Sequence, residues 1–331
     1  MKYRYIVAVS LLAAACGGSK GPGPTPVADP PQIACPADVA VRGVNSGSQA
    51  VTFDAPTTTG GTTPVNVTCA HASGSSFPLG TTANSCTASD AGGRQASCSF
   101  NVVLTGVTLG VTKFETVGDS LTEGENGRLQ PSFLDTPNAY PTRLQAAFDV
   151  AYPGQGVVVI NKGHSGDTVE TTVTDLRGNL LKDRPGAVLV LTGYNNLTAA
   201  ACRISDDNNP RCSNQVITDI GIGVKDCIRK SKEAPFNIQF VFVSTLTPPG
   251  PSGDRRLRPD MILRVNDRIR QVVAAEGATL VDTYPTFLGH EADYTDIDGL
   301  HLRPAGYQAL ADNFFASIRA TIPQTPLFTG R

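Results

Sequence analysis

The chain has 331 residues, which is longer than most single domains and favours two. Its 27 basic and 29 acidic residues leave a formal net charge of −2, so no large field of one sign exists and we expect no nucleic-acid partner. The lack of tryptophan, with 33 glycines and 24 prolines, is typical of a loop-rich, β-containing extracellular protein rather than a helical bundle.

The N-terminus has the organisation of a secretory signal peptide. Lys2 and Arg4 form a basic start, and the apolar run 6–15 that follows is too short to span a bilayer. Cys16 and Gly17 come next, in a context that resembles a bacterial lipoprotein processing site. We therefore expect removal of 1–15, lipidation of Cys16, and a location at the outer membrane, cell surface or periplasm. The alternative is an ordinary cleaved signal peptide with an incidental cysteine.

Residues 16–31 are rich in glycine and proline, which predicts a semi-extended tether. Export would place the other cysteines in an oxidising compartment, where disulfides persist. Cys202 and Cys212 bracket a polar loop, and we expect a bridge between them. Cys227 is then a free thiol in a predicted helix; its pairing with Cys202 or Cys212 is the alternative.

From about 32 to 105 the pattern is short and β-like. Residues 96–102 alternate between apolar and polar side chains, and a turn signal lies at 90–93. Segments 82–89 and 94–104 are therefore predicted to form a hairpin.

This part of the chain resembles the hyalin repeat (HYR) module, on Ile33-Ala34-Cys35-Pro36, Phe77-Pro78-Leu79-Gly80 and Cys98-Ser99-Phe100. The resemblance implies a small immunoglobulin-like β-sandwich, whose partner we expect to be a surface protein or a glycan. Four cysteines allow three pairings, of which we favour Cys35–Cys98 with Cys69–Cys86, because first and last strands often neighbour in such sandwiches.

After Gly106 apolar strands alternate with helical stretches. Continuous apolar runs such as 157–160, 188–191 and 240–243 indicate strands buried on both faces, as in a parallel sheet covered by helices. The pattern predicts a doubly wound α/β domain. Its five strands lie near 112–117, 156–161, 187–192, 237–244 and 278–283, and its helices near 138–151, 168–182, 214–233, 260–276 and 304–321.

Candidate catalytic groups follow four of these strands. Ser120 follows the first, Gly163 the second, Asn195 the third, and the Asp298–His301 segment the fifth. Ligands bind at the carboxyl ends of the strands in such sheets, so we expect these groups to share one edge. The spacing of Asp298 and His301 lets one turn set the carboxylate against the imidazole, whose other nitrogen can then activate the Ser120 hydroxyl.

Several alternatives stay open at these positions. Ser120 also suits a helix N-cap, which is compatible with a role as nucleophile. His290 competes with His301, Asp296 with Asp298, and Gly166 with Gly163.

Four segments resemble, in order, the signature blocks of the GDSL/SGNH hydrolase family: Gly118-Asp119-Ser120-Leu121, Asn161-Lys162-Gly163-His164-Ser165-Gly166-Asp167, Gly193-Tyr194-Asn195-Asn196 and Asp298-Gly299-Leu300-His301. The resemblance implies a flavodoxin-like, three-layer hydrolase domain over about 107–325. It also implies an acyl-enzyme on Ser120 and an oxyanion hole made by the amides of Ser120 and Gly163 and the side chain of Asn195. Asn196 departs from the family, which usually has Asp there.

We therefore predict an exported serine ester hydrolase, esterase- or lipase-like, that acts on an acylated carbohydrate or lipid. We expect no cofactor and no metal, because no ligand spacing or phosphate-binding fingerprint occurs. One alternative is an acyltransferase that uses the same residues with a sugar hydroxyl in place of water. Another is a surface adhesion or carbohydrate-binding protein.

Overall fold

The computed structural model describes residues 29–44, 47–127, 134–206 and 209–326. The predicted signal peptide, Cys16 and most of the predicted tether lie outside these residues. Within the described ranges, no helix has both the length and the apolar character that crossing a bilayer requires. The chain divides into two compact units, one made of the described residues before Asp38 with Phe53–Ser73 and Ala83–Phe100, the other of Asp38–Thr52, Gly74–Thr82 and Asn101 onward. The predicted domain limits stay predictions.

The N-terminal part is rich in short strands. β1 pairs with β4, β3 with β6 and β5 with β7, all antiparallel, whereas β2 is parallel to β8. β7 and β8 are neighbours in one sheet and correspond to the predicted hairpin. The immunoglobulin-like arrangement stays a prediction. The strands are β1 (Gln32–Ala34), β2 (Val39–Val44), β3 (Ser48–Ala50), β4 (Thr57–Thr59), β5 (Asn66–Cys69), β6 (Ser76–Pro78), β7 (Gly80–Ser89) and β8 (Gln95–Leu109).

Two disulfides lie within this β-rich region, and a third closes one loop of the α/β region. The structure contains Cys35–Cys98 and Cys69–Cys86, the favoured pairing, and Cys69 lies directly opposite Cys86 in the β5–β7 ladder. It also contains Cys202–Cys212, while Cys227 is a buried free thiol. Each bond shortens the loops available to the unfolded chain, which matters most where the apolar core is small.

The α/β region contains six further strands and nine helices within the described residues. The strands are β9 (Lys113–Gly118), β10 (Val158–Gly163), β11 (Ala187–Leu191), β12 (Phe240–Ser244), β13 (Thr279–Val281) and β14 (Gln324–Pro326). The helices are α1 (Ser120–Glu123), α2 (Tyr140–Ala151), α3 (Val169–Asp183), α4 (Tyr194–Ala199), α5 (Asn214–Lys232), α6 (Pro259–Ala275), α7 (Tyr284–Phe287), α8 (Glu291–Tyr294) and α9 (Pro304–Thr321). Each predicted strand and helix has an observed counterpart, and the shortest helices were not predicted.

The central sheet is parallel and has the order β10-β9-β11-β12-β13. Numbered along the chain this is 2-1-3-4-5, the doubly wound order in which the first strand lies at the point where the connections change direction. Every residue of β11 is fully buried, because helices pack on both faces of the sheet. The fold therefore places a crevice at the carboxyl end of β9, where Ser120 follows.

Prolines start two of the helices that flank the sheet. Pro259 and Pro304 occupy the first turns of α6 and α9, where a missing backbone N–H has no cost. α2 packs on α9, while α3 packs on α5 and α5 on α6. These two helix groups bury the sheet between them and fix the loops at its carboxyl edge.

Candidate active site

Ser120 lies at a close approach of two strands. β9 ends at Gly118, where a Cβ atom would come within 1.8 Å of the Leu191 carbonyl oxygen, so only glycine fits. Asp119 then caps α1 by accepting a hydrogen bond from the Leu121 amide at 3.1 Å. Ser120 is the first residue of α1 and is 5% exposed, and its amide N–H has no partner within the described part of the chain.

Asp298, His301 and Ser120 form a hydrogen-bonded chain. Nδ1 of His301 lies 2.6 Å from Oδ2 of Asp298, and Nε2 lies 2.9 Å from Oγ of Ser120. Oδ1 of Asp298 accepts the amides of Leu300 and His301, each at 3.0 Å, which fixes the carboxylate within the turn. In the tautomer that carries its proton on Nδ1, His301 is oriented to accept the Ser120 proton at Nε2.

Charge surrounds the buried imidazole. Burial alone would lower the pKa of His301, but its hydrogen bonds to Asp298 and Glu125 outweigh burial, so the pKa is raised above its usual range. Burial likewise opposes ionisation of Asp298, yet the contact with His301 and two backbone N–H donors hold the pKa of Asp298 below its usual value. Oε2 of Glu125 lies 3.1 Å from Nε2 of His301, a neighbour that the sequence does not predict.

Not every predicted oxyanion donor has an N–H group that is free of a hydrogen-bond acceptor. The amide of Gly163 donates to Oδ1 of Asn161 at 2.9 Å, and a Cβ atom at Gly163 would come within 2.2 Å of the Glu123 nitrogen. Close packing of β10 against α1 thus explains this glycine, and its N–H is already used. Gly166, the alternative, has φ +88°, open space beside its Cα and no hydrogen bond from its amide among the described residues. The geometry therefore favours Gly166, the alternative, over Gly163 as a donor, and the oxyanion assignment stays a prediction.

The segment 164–168 is held by side chains of the short helices α1 and α4. Oε2 of Glu123 accepts both the amide and the hydroxyl of Ser165 at 2.6 Å. Nδ2 of Asn195 donates to the carbonyl of Asp167 at 3.0 Å, which leaves its second N–H for another acceptor. These bonds hold Ser165 and Asp167, the two neighbours of Gly166 in the chain, to α1 and α4.

A loop at 250–256 clamps the turn that carries Asp298. The Arg255 amide donates to the Asp298 carbonyl at 2.9 Å, and the Gly250 amide donates to the Gly299 carbonyl at 3.0 Å. A Cβ atom at Gly253 would come within 2.1 Å of the Asp298 carbonyl carbon, so the glycine permits the contact. The guanidinium of Arg255 lies 3.8 Å from Oδ2 of Asp298. This loop therefore helps to orient the carboxylate.

A model of the GDSL-like lipase/acylhydrolase family matches residues 116–309, which is more than half of the chain. The chain belongs to this family. It is accordingly a carboxylic ester hydrolase. A second family model, the HYR domain, matches residues 28–104 of this GDSL-like hydrolase.

The solved structures that are similar to this chain include hydrolases from several sources. No curated protein matches the chain. The acetylxylan esterase Axe2 from Geobacillus stearothermophilus is 20% identical, with a TM-score of 0.49 over 62% of this chain and 94% of Axe2. A lipase/acylhydrolase from Enterococcus faecalis is 21% identical, with a TM-score of 0.48 over 64% and 97% of the two chains. LAE5, an alpha/beta hydrolase enzyme from the metagenome of Lake Arreo, Spain, is 20% identical, with a TM-score of 0.48 over 63% and 95%.

Asn196, the departure from the usual GDSL pattern, has a structural role in this hydrolase. Its Oδ1 accepts the amide of Val169 at 2.9 Å, at the first turn of α3, where the side chain of Thr168 gives no cap. Its Nδ2 donates to the carboxylate of Glu170 at 2.9 and 3.1 Å. An aspartate at this position would face Glu170 with a like charge, so the amide suits its neighbour.

Sequence reasoning about this GDSL-like hydrolase missed Glu123, Glu125 and the clamp by the 250–256 loop. Glu123, at the end of α1, and Glu125, just after it, follow Ser120 closely, but no spacing rule shows which way their carboxylates point. In the 250–256 loop Arg256 donates to the carbonyls of Pro251 and Gly253. Only the path of the folded loop reveals these contacts.

Proposed function

We propose that this chain is an exported serine esterase that works through an acyl-enzyme on Ser120. The observation that carries the proposal is the 2.9 Å separation between Oγ of Ser120 and Nε2 of His301, with Asp298 on the opposite ring nitrogen. A base must lie within hydrogen-bond reach of the proton that it removes, and this distance meets that requirement.

The proposed reaction has two similar halves. Nε2 of His301 takes the Ser120 proton while Oγ attacks the ester carbonyl, and the resulting oxyanion is stabilised by the N–H groups of Ser120, Gly166 and Asn195. The tetrahedral intermediate then expels the alcohol, which leaves with the proton from the imidazolium. Water enters next, gives one proton to Nε2, and attacks the acyl-enzyme. Collapse of the second intermediate releases the acid and returns the proton to Ser120. Asp298 orients the ring throughout.

Covalent labelling tests this mechanism directly. We expect an alkyl fluorophosphonate to add its phosphonyl group to the peptide that contains Ser120, because the reagent loses fluoride to an activated serine hydroxyl. Peptide mass mapping of the labelled protein identifies the modified residue. A label confined to any other serine, or no label in an enzyme that hydrolyses p-nitrophenyl acetate, would contradict the assignment.

We further propose that the protein is exported and anchored through Cys16. The support is the signal-like segment 1–15 and three disulfides within the described residues, which persist in oxidising compartments. The segment 16–31, rich in glycine and proline, would act as a tether that holds the enzyme away from the bilayer. Its substrate is then an ester on an extracellular carbohydrate or lipid.

Replacement of the proposed lipidation site tests the anchor. In bacterial cells that express the full chain, we expect the wild type to lie in the membrane fraction and to incorporate palmitate. We expect Cys16→Ser to incorporate no palmitate and to be either released or retained as the unprocessed precursor. Esterase activity reports the catalytic region in both fractions, and Cys227→Ser is the matched control with the wild-type distribution. An unlabelled wild-type protein in the soluble fraction would contradict the anchor while leaving the esterase proposal intact.

A further inference from the structure

Nε2 of His301 has two neighbours rather than one. Oγ of Ser120 lies 2.9 Å away, and Oε2 of Glu125 lies 3.1 Å away. The side chains of His301 and Glu125 are 1% and 13% exposed, so water screens this contact poorly. The ring nitrogen that must accept the Ser120 proton therefore also faces a carboxylate.

The main chain of Glu125 is held at both of its polar groups. Its N–H donates to the Ser120 carbonyl at 2.9 Å, and its C=O accepts from the hydroxyl of Tyr307 on α9. The carboxylate thus projects from a backbone that is bonded to the helix that carries the nucleophile and to the helix that follows the histidine. This attachment favours a fixed orientation of Glu125 toward the ring.

The contact between Nε2 and Glu125 has opposite consequences for neutral and for protonated His301. If His301 is neutral with its proton on Nδ1, Nε2 presents a lone pair to a carboxylate oxygen that also carries only lone pairs. The two acceptors then repel each other. One additional proton removes the conflict, because an Nε2–H can donate to Glu125 while Asp298 accepts from Nδ1. The contact therefore favours the imidazolium, which cannot serve as a base.

We propose that Glu125 is a positioning residue that acts as a pH gate on His301, by holding a proton on Nε2 until the pH is high enough to release it. The proposal rests on the proposed function, in which neutral His301 activates Ser120. Below the release point the serine has no base, and above it the ring becomes neutral and accepts the Ser120 proton.

Among the described residues, several charged groups that face the ring act on the same equilibrium. Asp298, in the same turn as His301, and Glu125 favour the imidazolium. Asp119, the buried cap of α1, also attracts it. Arg255, in the 250–256 loop, opposes it. Tyr307 from α9 stays neutral, because burial raises its pKa well above its usual value. Contact with His301 lowers the pKa of Glu125, which is the change expected of a carboxylate paired with an imidazolium.

The gate predicts that kcat/KM falls as the pH is lowered, with a midpoint above the ordinary histidine pKa of about 6.5. This fall is the acid limb of the pH profile. In Glu125→Gln an amide replaces the carboxylate and no longer favours the proton, so we expect the limb to move down by about one pH unit. Glu125→Ala, which adds no amide donor, should move it in the same direction. Asp293→Asn on α8 removes one exposed acidic side chain that has no contact with the ring, and should keep the wild-type limb.

The same profiles can overturn the proposal. Coincident limbs for the wild type, Glu125→Gln and Glu125→Ala would exclude the gate. An equal shift in Asp293→Asn would assign the effect to net charge rather than to the contact.

Titration of the ring separates the gate from the catalytic proposal. The chain contains four histidines, so 15N-labelled histidine gives few signals, and Ser120→Ala retains both carboxylates. We expect the imidazolium of His301 to persist to higher pH in Ser120→Ala than in Ser120→Ala with Glu125→Gln. Identical titrations would overturn the gate even if Ser120 is the nucleophile. Undiminished esterase activity of Ser120→Ala would instead overturn the proposed function and leave the ring titration to decide the contact.

Discussion

Ser120→Ala is expected to reduce kcat/KM for a short p-nitrophenyl ester by at least about 10⁴-fold. The substitution removes the oxygen that lies 2.9 Å from Nε2 of His301 and leaves no group there to form an acyl-enzyme. Stability should change little, because Asp119, not Ser120, caps α1 and alanine is a good helix former. Initial rates at alkaline pH, where His301 is neutral, together with thermal unfolding, give both quantities.

A second serine provides a matched control for the capping role. Ser213 caps α5 by accepting the Gln215 amide and lies outside the proposed machinery. Ser213→Ala should therefore cost about 1 kcal/mol of unfolding free energy and keep its esterase activity. Comparison of the two variants therefore distinguishes the loss of a nucleophile, which lowers activity, from the loss of a helix cap, which lowers stability. Retained turnover in Ser120→Ala would exclude the proposed nucleophile.

Asp298→Asn is expected to reduce kcat by about 10⁴-fold. An asparagine that directs its NH₂ toward Nδ1, where Asp298 now accepts at 2.6 Å, would drive the ring proton onto Nε2. Nε2 could then no longer accept from Ser120. The asparagine oxygen can still accept the Leu300 and His301 amides, so the turn should persist. Steady-state kinetics together with thermal unfolding distinguish this tautomer effect from loss of the fold.

Asp296 is the matched control, since its carboxylate bonds the amides of Gly127 and Ile297 rather than the imidazole. Asp296→Asn keeps an acceptor oxygen for one of those two amides and loses the other contact. Neither contact involves the imidazole, so we expect kcat within a few-fold of the wild type. An equal loss in both variants would remove the distinction between the two aspartates. Such a result would contradict the role given to Asp298.

The contacts around the ring also explain why the sequence predicts some residues of the site and not others. Asp298 and His301 were identified because a three-residue spacing brings two side chains together within one turn. Glu125 has no such rule, since its approach to His301 depends on how the segment after α1 meets α9. The choice between Gly163 and Gly166 depends on a similar contact, because the Asn161 side chain accepts the Gly163 amide and spacing alone does not reveal this bond.

The sequence by itself determined the alternation of strands and helices, because continuous apolar runs such as β11 must be buried on both faces. It also determined that Ser120, Asn195 and His301 follow strand ends, and so share the carboxyl edge of a parallel sheet. Only the tertiary structure decided which donors remain free and which carboxylates face the imidazole. Those outcomes depend on contacts between loops distant in sequence, where a shift of a few ångströms exchanges one hydrogen-bond partner for another.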